Sequence, residues 1–114
     1  MSRAEGIAAA HVRDAAPLFA ALGDDTRLRL LVRLSSGGPG SIARLSEKSE
    51  VSRQAITKHL AVLSEAGLVR SSQQGRERIW ELEPKRLGDA HDYLDRISKQ
   101  WDDALERLRK LVEE

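Results

Sequence analysis

No cysteine occurs in the 114 residues. That excludes disulfides, thiolate metal sites and thiol redox switches, and it fits a reducing compartment. Aromatic residues are almost as scarce: Phe19, Trp80, Tyr93 and Trp101 are the whole set. Platforms that bind single strands or RNA stack bases on aromatic rings, and four scattered rings argue against one. No apolar run approaches the roughly 20 residues that span a bilayer, and the N-terminal stretch has no hydrophobic signal core. A soluble, cytoplasmic protein with no membrane partner is expected. A glycine-rich phosphate loop, a nucleophile elbow and paired histidine ligands are also missing, so no enzyme, catalytic residue, cofactor or metal site is expected.

What is present suits a small regulatory module. The net charge is only +1, yet residues 27–78 hold ten Lys/Arg against four Asp/Glu, and the remainder holds nine against fourteen. A basic middle between acidic ends is the distribution of a phosphate-facing surface. The length supports one compact domain.

Residues 51–70 carry most of the information. Ser52 is a good helix N-cap, and Ile56, Leu60 and Leu63 follow at the spacing of one buried stripe. The opposite face carries Gln54, Thr57, Lys58 and Ala61, with Arg53 on the flank, and no acid occurs before Glu65. Gly67 then stops the helix. A short, polar face free of negative charge suits insertion into a DNA major groove. Upstream, helices are expected over Val12–Leu22, with Pro17 kinking or dividing the first, and from a cap at Asp25 to Leu34. A loop follows over 36–40, then a short helix over Ile42–Ser49. Downstream the period changes to that of strands, 68–73 and 77–82, around a turn at Gln74-Gly75. Pro84 opens a final helix over Lys85–Val112.

The final helix has its own repeat. Leu87, Leu94, Trp101 and Leu108 are spaced by seven, as are Ala90, Ile97, Ala104 and Leu111. Four heptads extend about 42 Å, more than one small domain can cover, which points to a dimer interface. The expected fold is mainly α with a small β-hairpin: a winged helix-turn-helix with a long C-terminal dimerisation helix. Residues 1–10 read as a flexible N-terminus, 11–84 as the DNA-binding domain and 85–114 as the dimerisation helix.

Three segments taken in order resemble the ArsR/SmtB family of bacterial transcriptional repressors: Leu18 to Leu31 with its Leu-Gly-Asp-Asp-Thr-Arg element, Val51 to Val69, and Gly75 to Leu82. The resemblance implies a homodimer built on the first and last helices, binding a palindromic operator on double-stranded DNA. It places Ser52, Arg53, Gln54, Thr57, Lys58 and His59 in or beside the groove, with Arg76 and Arg78 of the wing reaching phosphates or a minor groove. His59 falls near the buried edge, where a structural or phosphate-positioning role is favoured. Leu18, Phe19, Leu87, Leu94, Ile97, Trp101, Leu105 and Leu108 are the expected dimer contacts. Arg27 is expected to make an internal ion pair or cap.

Where the family's metal-sensing members have Cys-Val-Cys-Asp-Leu, this chain has Ser41-Ile-Ala-Arg-Leu45, without either thiolate. A second family site on the last helix is matched by Asp89-Ala90-His91 alone, since the completing positions are Asp102 and Leu105. His11 and His91 then read as plain surface or interface histidines. The effector stays open. A small-molecule- or metal-responsive sensor of the same family, or a winged-helix adaptor between proteins, is the alternative reading.

Overall fold

The computed structural model describes residues 3–113, with side chains from Val12 onward. Among the described residues, five helices and three strands follow one another: α1 (Arg3–Leu22), α2 (Asp25–Gly37), β1 (Gly40–Ser41), α3 (Ile42–Leu45), α4 (Arg53–Glu65), β2 (Val69–Gln74), β3 (Glu77–Leu82) and α5 (Pro84–Glu113). α1 begins nine residues before the expected start, and it continues through Pro17 without a break. Of the expected flexible terminus, Met1 and Ser2 lie outside the described residues, as does the side chain of His11.

Each boundary has a local cause. α2 is capped by Asp24, one residue before the expected Asp25: the Asp24 carboxylate accepts from the Arg27 backbone N–H at 3.0 Å. That bond holds the Asp24 carboxyl below the ordinary carboxylate range, against a smaller opposing effect of desolvation. Ser52 caps α4 as expected, its Oγ accepting from the Ala55 N–H at 3.1 Å. The far end of α4 closes in a Schellman arrangement. Leu68 N–H reaches the Leu63 carbonyl (2.9 Å) and Gly67 N–H reaches that of Ser64 (3.0 Å). Gly67 sits there at φ 77°, beside Arg86, where a Cβ would stand 2.8 Å from Arg86 Cγ. Leu63 and Leu68, which this turn brings together, are both sealed from solvent.

The hairpin is not alone. Gly40 and Ser41 pair antiparallel with Trp80 and Ile79, making a three-stranded sheet of order β1-β3-β2. Arg44 holds this approach by donating to the carbonyls of Gly37 and Pro39. α3 is also shorter than expected, because the chain turns after Leu45 with Lys48 in the left-handed region (φ 59°).

The core gathers residues from every element but β1: Leu18 and Ala21, Leu30, Leu31 and Leu34, Leu45, Ile56, Leu60 and Leu63, Leu68 and Val69, Trp80, and Ala90. Leu18 is therefore not a dimer contact, because it is consumed inside its own subunit. α5 contributes only Ala90 as a buried residue. Thirty residues of helix run about 45 Å, so most of α5 projects from the body. The Cα radius of gyration is 18.7 Å with extents of 67 × 28 × 20 Å, against about 13 Å for a compact chain of this length.

Candidate nucleic-acid interface

α3, the turn at Lys48 and α4 form a helix-turn-helix, and β2–β3 form a wing beside it. The packing of α4 decides what its other side shows. Ile56, Leu60 and Leu63 point into the core, so Arg53, Gln54, Thr57 and Lys58 necessarily lie outward, and all four are exposed. Arg53, Gln54 and Lys58 make no side-chain bond among the described residues. Thr57 Oγ1 donates back to the Arg53 carbonyl at 2.8 Å, within the helix. With no acid in its first turn, the positive end of α4 is left uncompensated.

In the wing, Arg76 follows Gly75 at the turn (φ 62°) and has no partner among the described residues. Arg78 is braced across the hairpin by donating to Ser71 Oγ of β2 at 2.8 Å. That hydroxyl is neutral, so the charge stays available. Arg70 differs: Glu81 (2.9 Å) and Glu83 (3.0 Å) neutralise it and hold its guanidinium above its usual value, Glu81 foremost. The wing thus carries free cations at its tip and paired ones at its root.

His59 is half-buried and turned toward the start of α2, and it does not point straight out with Lys58. Its Nδ1 lies 3.2 Å from Arg27 Nη1 and 3.8 Å from Asp24 Oδ2. Arg27 also donates through Nε to the Ala21 carbonyl (2.6 Å) and through Nη2 to that of Ala20 (3.3 Å). One guanidinium therefore closes the last turn of α1 and grips α4. The cap expected of Arg27 is present, but its link to His59 was not legible, since 32 residues separate the two. Of the other upstream arginines, Arg29 pairs with Asp25 at 3.0 Å and Arg33 donates to the carbonyls of Leu45 and Glu47.

The second surface is the projecting half of α5. Phe19 and Tyr93 meet with their rings tilted, 5.6 Å between centroids, where the helix leaves the body, and Arg86 pins its start by bonding Asp14 and Asp89. Leu87 packs against the core, so only part of it is open. Beyond, Leu94, Trp101, Leu105, Leu108, Leu111 and Val112 are each more than half exposed, while Ile97 is half-buried.

Neither position where the resemblance raised a metal site is built for one. At the entry to α3, Ser41 Oγ is used as a cap, and Arg44 brings a cation to where a soft metal would need an anionic donor. On α5, Asp89 is bound by Arg86 and His91 faces solvent near Asp92. No cluster of three ligating side chains occurs among the described residues, nor does any described helix have the length and apolarity to cross a membrane.

Comparison with known proteins agrees with this geometry. Residues 22–72 match a family model described as a helix-turn-helix domain. The HTH-type transcriptional regulator Rv2034 of Mycobacterium tuberculosis is 36% identical over 93 residues, covering 82% of this chain and 83% of the relative. The arsenical resistance operon repressor of Escherichia coli is 36% identical over 95 residues, covering 83% and 79%. An ArsR-like transcriptional regulator from Rhodococcus superposes with a TM-score of 0.75 at 36% identity, over 87% of this chain and 92% of that one. The chain is a member of the ArsR family of winged helix-turn-helix transcriptional regulators.

Proposed function

We propose that the protein acts as a homodimeric, sequence-specific DNA-binding repressor of a palindromic operator, and that it works in the cytoplasm without catalytic activity. The outward face of α4 carries the reading: it is cationic, rich in amide and hydroxyl donors, and unused by its own subunit. Gln54 suits a bidentate pair with adenine and Arg53 one with guanine or a phosphate. Ser52, Thr57 and Lys58 suit the backbone, and Arg76 and Arg78 reach phosphates from the wing. Two subunits joined through the exposed stripe of α5, with Phe19 at its root, would set recognition helices about 34 Å apart, one turn of DNA. Occupancy of a promoter then blocks polymerase. The relative from Escherichia coli is named as a repressor, which favours this direction of regulation. This chain has no cysteine, so a soft-metal signal bound by thiolates is not part of the reading.

Anisotropy titrations with operator duplexes, selected from genomic fragments, and random duplexes test the assignment. Lys58→Ala weakens binding to every sequence and flattens the salt dependence, as loss of a phosphate contact does. Gln54→Ala relaxes choice at one base position and costs about 1–3 kcal/mol there. Identical behaviour of the two variants contradicts these separate roles.

A further inference from the structure

We infer that His59 is a backbone-contacting residue held as one tautomer by Arg27, with its Nε2–H directed at a DNA phosphate. This rests on the DNA-binding reading above and adds to it the chemical form of one donor. A guanidinium has only N–H groups to offer, so the 3.2 Å contact between Arg27 Nη1 and His59 Nδ1 requires Nδ1 to accept. A neutral imidazole whose Nδ1 accepts carries its proton on Nε2. Asp24 Oδ2, at 3.8 Å, is too far to draw a proton onto Nδ1 by hydrogen bonding, and it is already held by the Arg27 N–H.

The other nitrogen is left free. Nε2 meets no protein partner among the described residues, yet it is not sealed from solvent, since Trp80 Nε1 is the one buried side-chain atom without a partner there. A donor that is oriented, ordered and unspent beside Lys58 fits a phosphate oxygen better than a base edge, because the ring lies on the flank of α4 toward α2. Arg27 anchors the same ring to the Ala20 and Ala21 carbonyls at the end of α1. Arg27 is thus a positioning residue, acting on DNA only through the histidine.

The two amide substitutions separate the two nitrogens. His59→Asn keeps an acceptor where Nδ1 stands and removes the distal donor; His59→Gln keeps a distal donor and removes the acceptor. In salt titrations with a fixed duplex, H59N loses at least about tenfold in affinity with an unchanged salt slope and thermal midpoint, since the lost donor is neutral. H59Q retains most of the affinity and melts lower. Nitrogen-15 imidazole spectra of the wild type, recorded where the ring is neutral, show Nδ1 unprotonated. A proton on Nδ1, or H59N binding as tightly as wild type, overturns the inference while leaving the DNA reading intact. Wild-type protein that binds no duplex at low salt overturns both.

Discussion

α4 and α5 are both amphipathic, but their subunit uses them in opposite ways. In α4 the apolar stripe is spent: Leu60 and Leu63 are fully buried and Ile56 is 1% exposed. What is left over in its N-terminal half is polar and cationic. In α5 a single alanine is buried, and what is left over is apolar, from Leu94 to Val112. A surplus of donors without partners suits a polyanion, and a surplus of hydrocarbon in heptads suits another helix. On the proposed function, each helix works through the face its own fold does not consume.

Removing buried and exposed leucines breaks this comparison most strongly. Leu60→Ala lowers the unfolding free energy by about 2–5 kcal/mol, because the cavity opens in a packed core. Leu105→Ala, on the projecting arm, leaves the subunit's own packing intact. Urea melts at several protein concentrations separate the two, since only the arm variant shows a changed concentration dependence.

Charge on the arm sharpens the contrast. Trp101→Asp combined with Leu108→Asp yields a folded monomer by sedimentation, with unchanged helix content and weakened binding to a palindromic duplex. A dimer that survives both aspartates removes α5 as the interface. A smaller effect lies at the head of α4. Ser52→Ala costs about 1 kcal/mol by freeing the Ala55 N–H, and Ser52→Asn, which still caps, costs much less.

The smallest effect comes from Asp24. Its folded carboxyl titrates below its unfolded value, so the ionised side chain stabilises the fold above the unfolded value and loses this contribution as pH falls through the folded one. Asp24→Asn keeps a capping oxygen and removes the titration. The stability gap between wild type and this variant therefore closes on acidification, as melts across that range will show.

The helices were legible because their apolar periods are strict. Ile56, Leu60 and Leu63 announced the inner face of α4, and the heptads from Leu87 announced a helix too long for its body. Short-range signals misled where chemistry is shared among neighbours. Asp24 and Asp25 are equally good caps on paper, and only backbone direction selects Asp24. The turn after α3 lacks a glycine and uses Lys48 in a left-handed conformation, so the helix read four residues too long. β1 is two residues long, too short to show alternation. Leu18 fits a core and an interface equally well, and only the packing of α2 and α4 around it decides. Gln54, Thr57 and Lys58, with Arg53 on the flank, lie outward where the helical period placed them, and Ser52 and Arg76 are exposed as well. The grip of Arg27 on His59 joins segments 32 residues apart, and no local pattern encodes it.

Chemical-shift mapping puts the division of labour between α4 and α5 to the test. Amide and side-chain resonances are followed as a mixed-sequence duplex is added at low salt. If the outward face of α4 meets DNA and the arm of α5 does not, the largest shifts fall at Arg53, Gln54, Thr57, Lys58 and Arg76, with Leu94 to Leu111 unmoved. Shifts concentrated on the α5 arm, or absent from α4, would contradict that division.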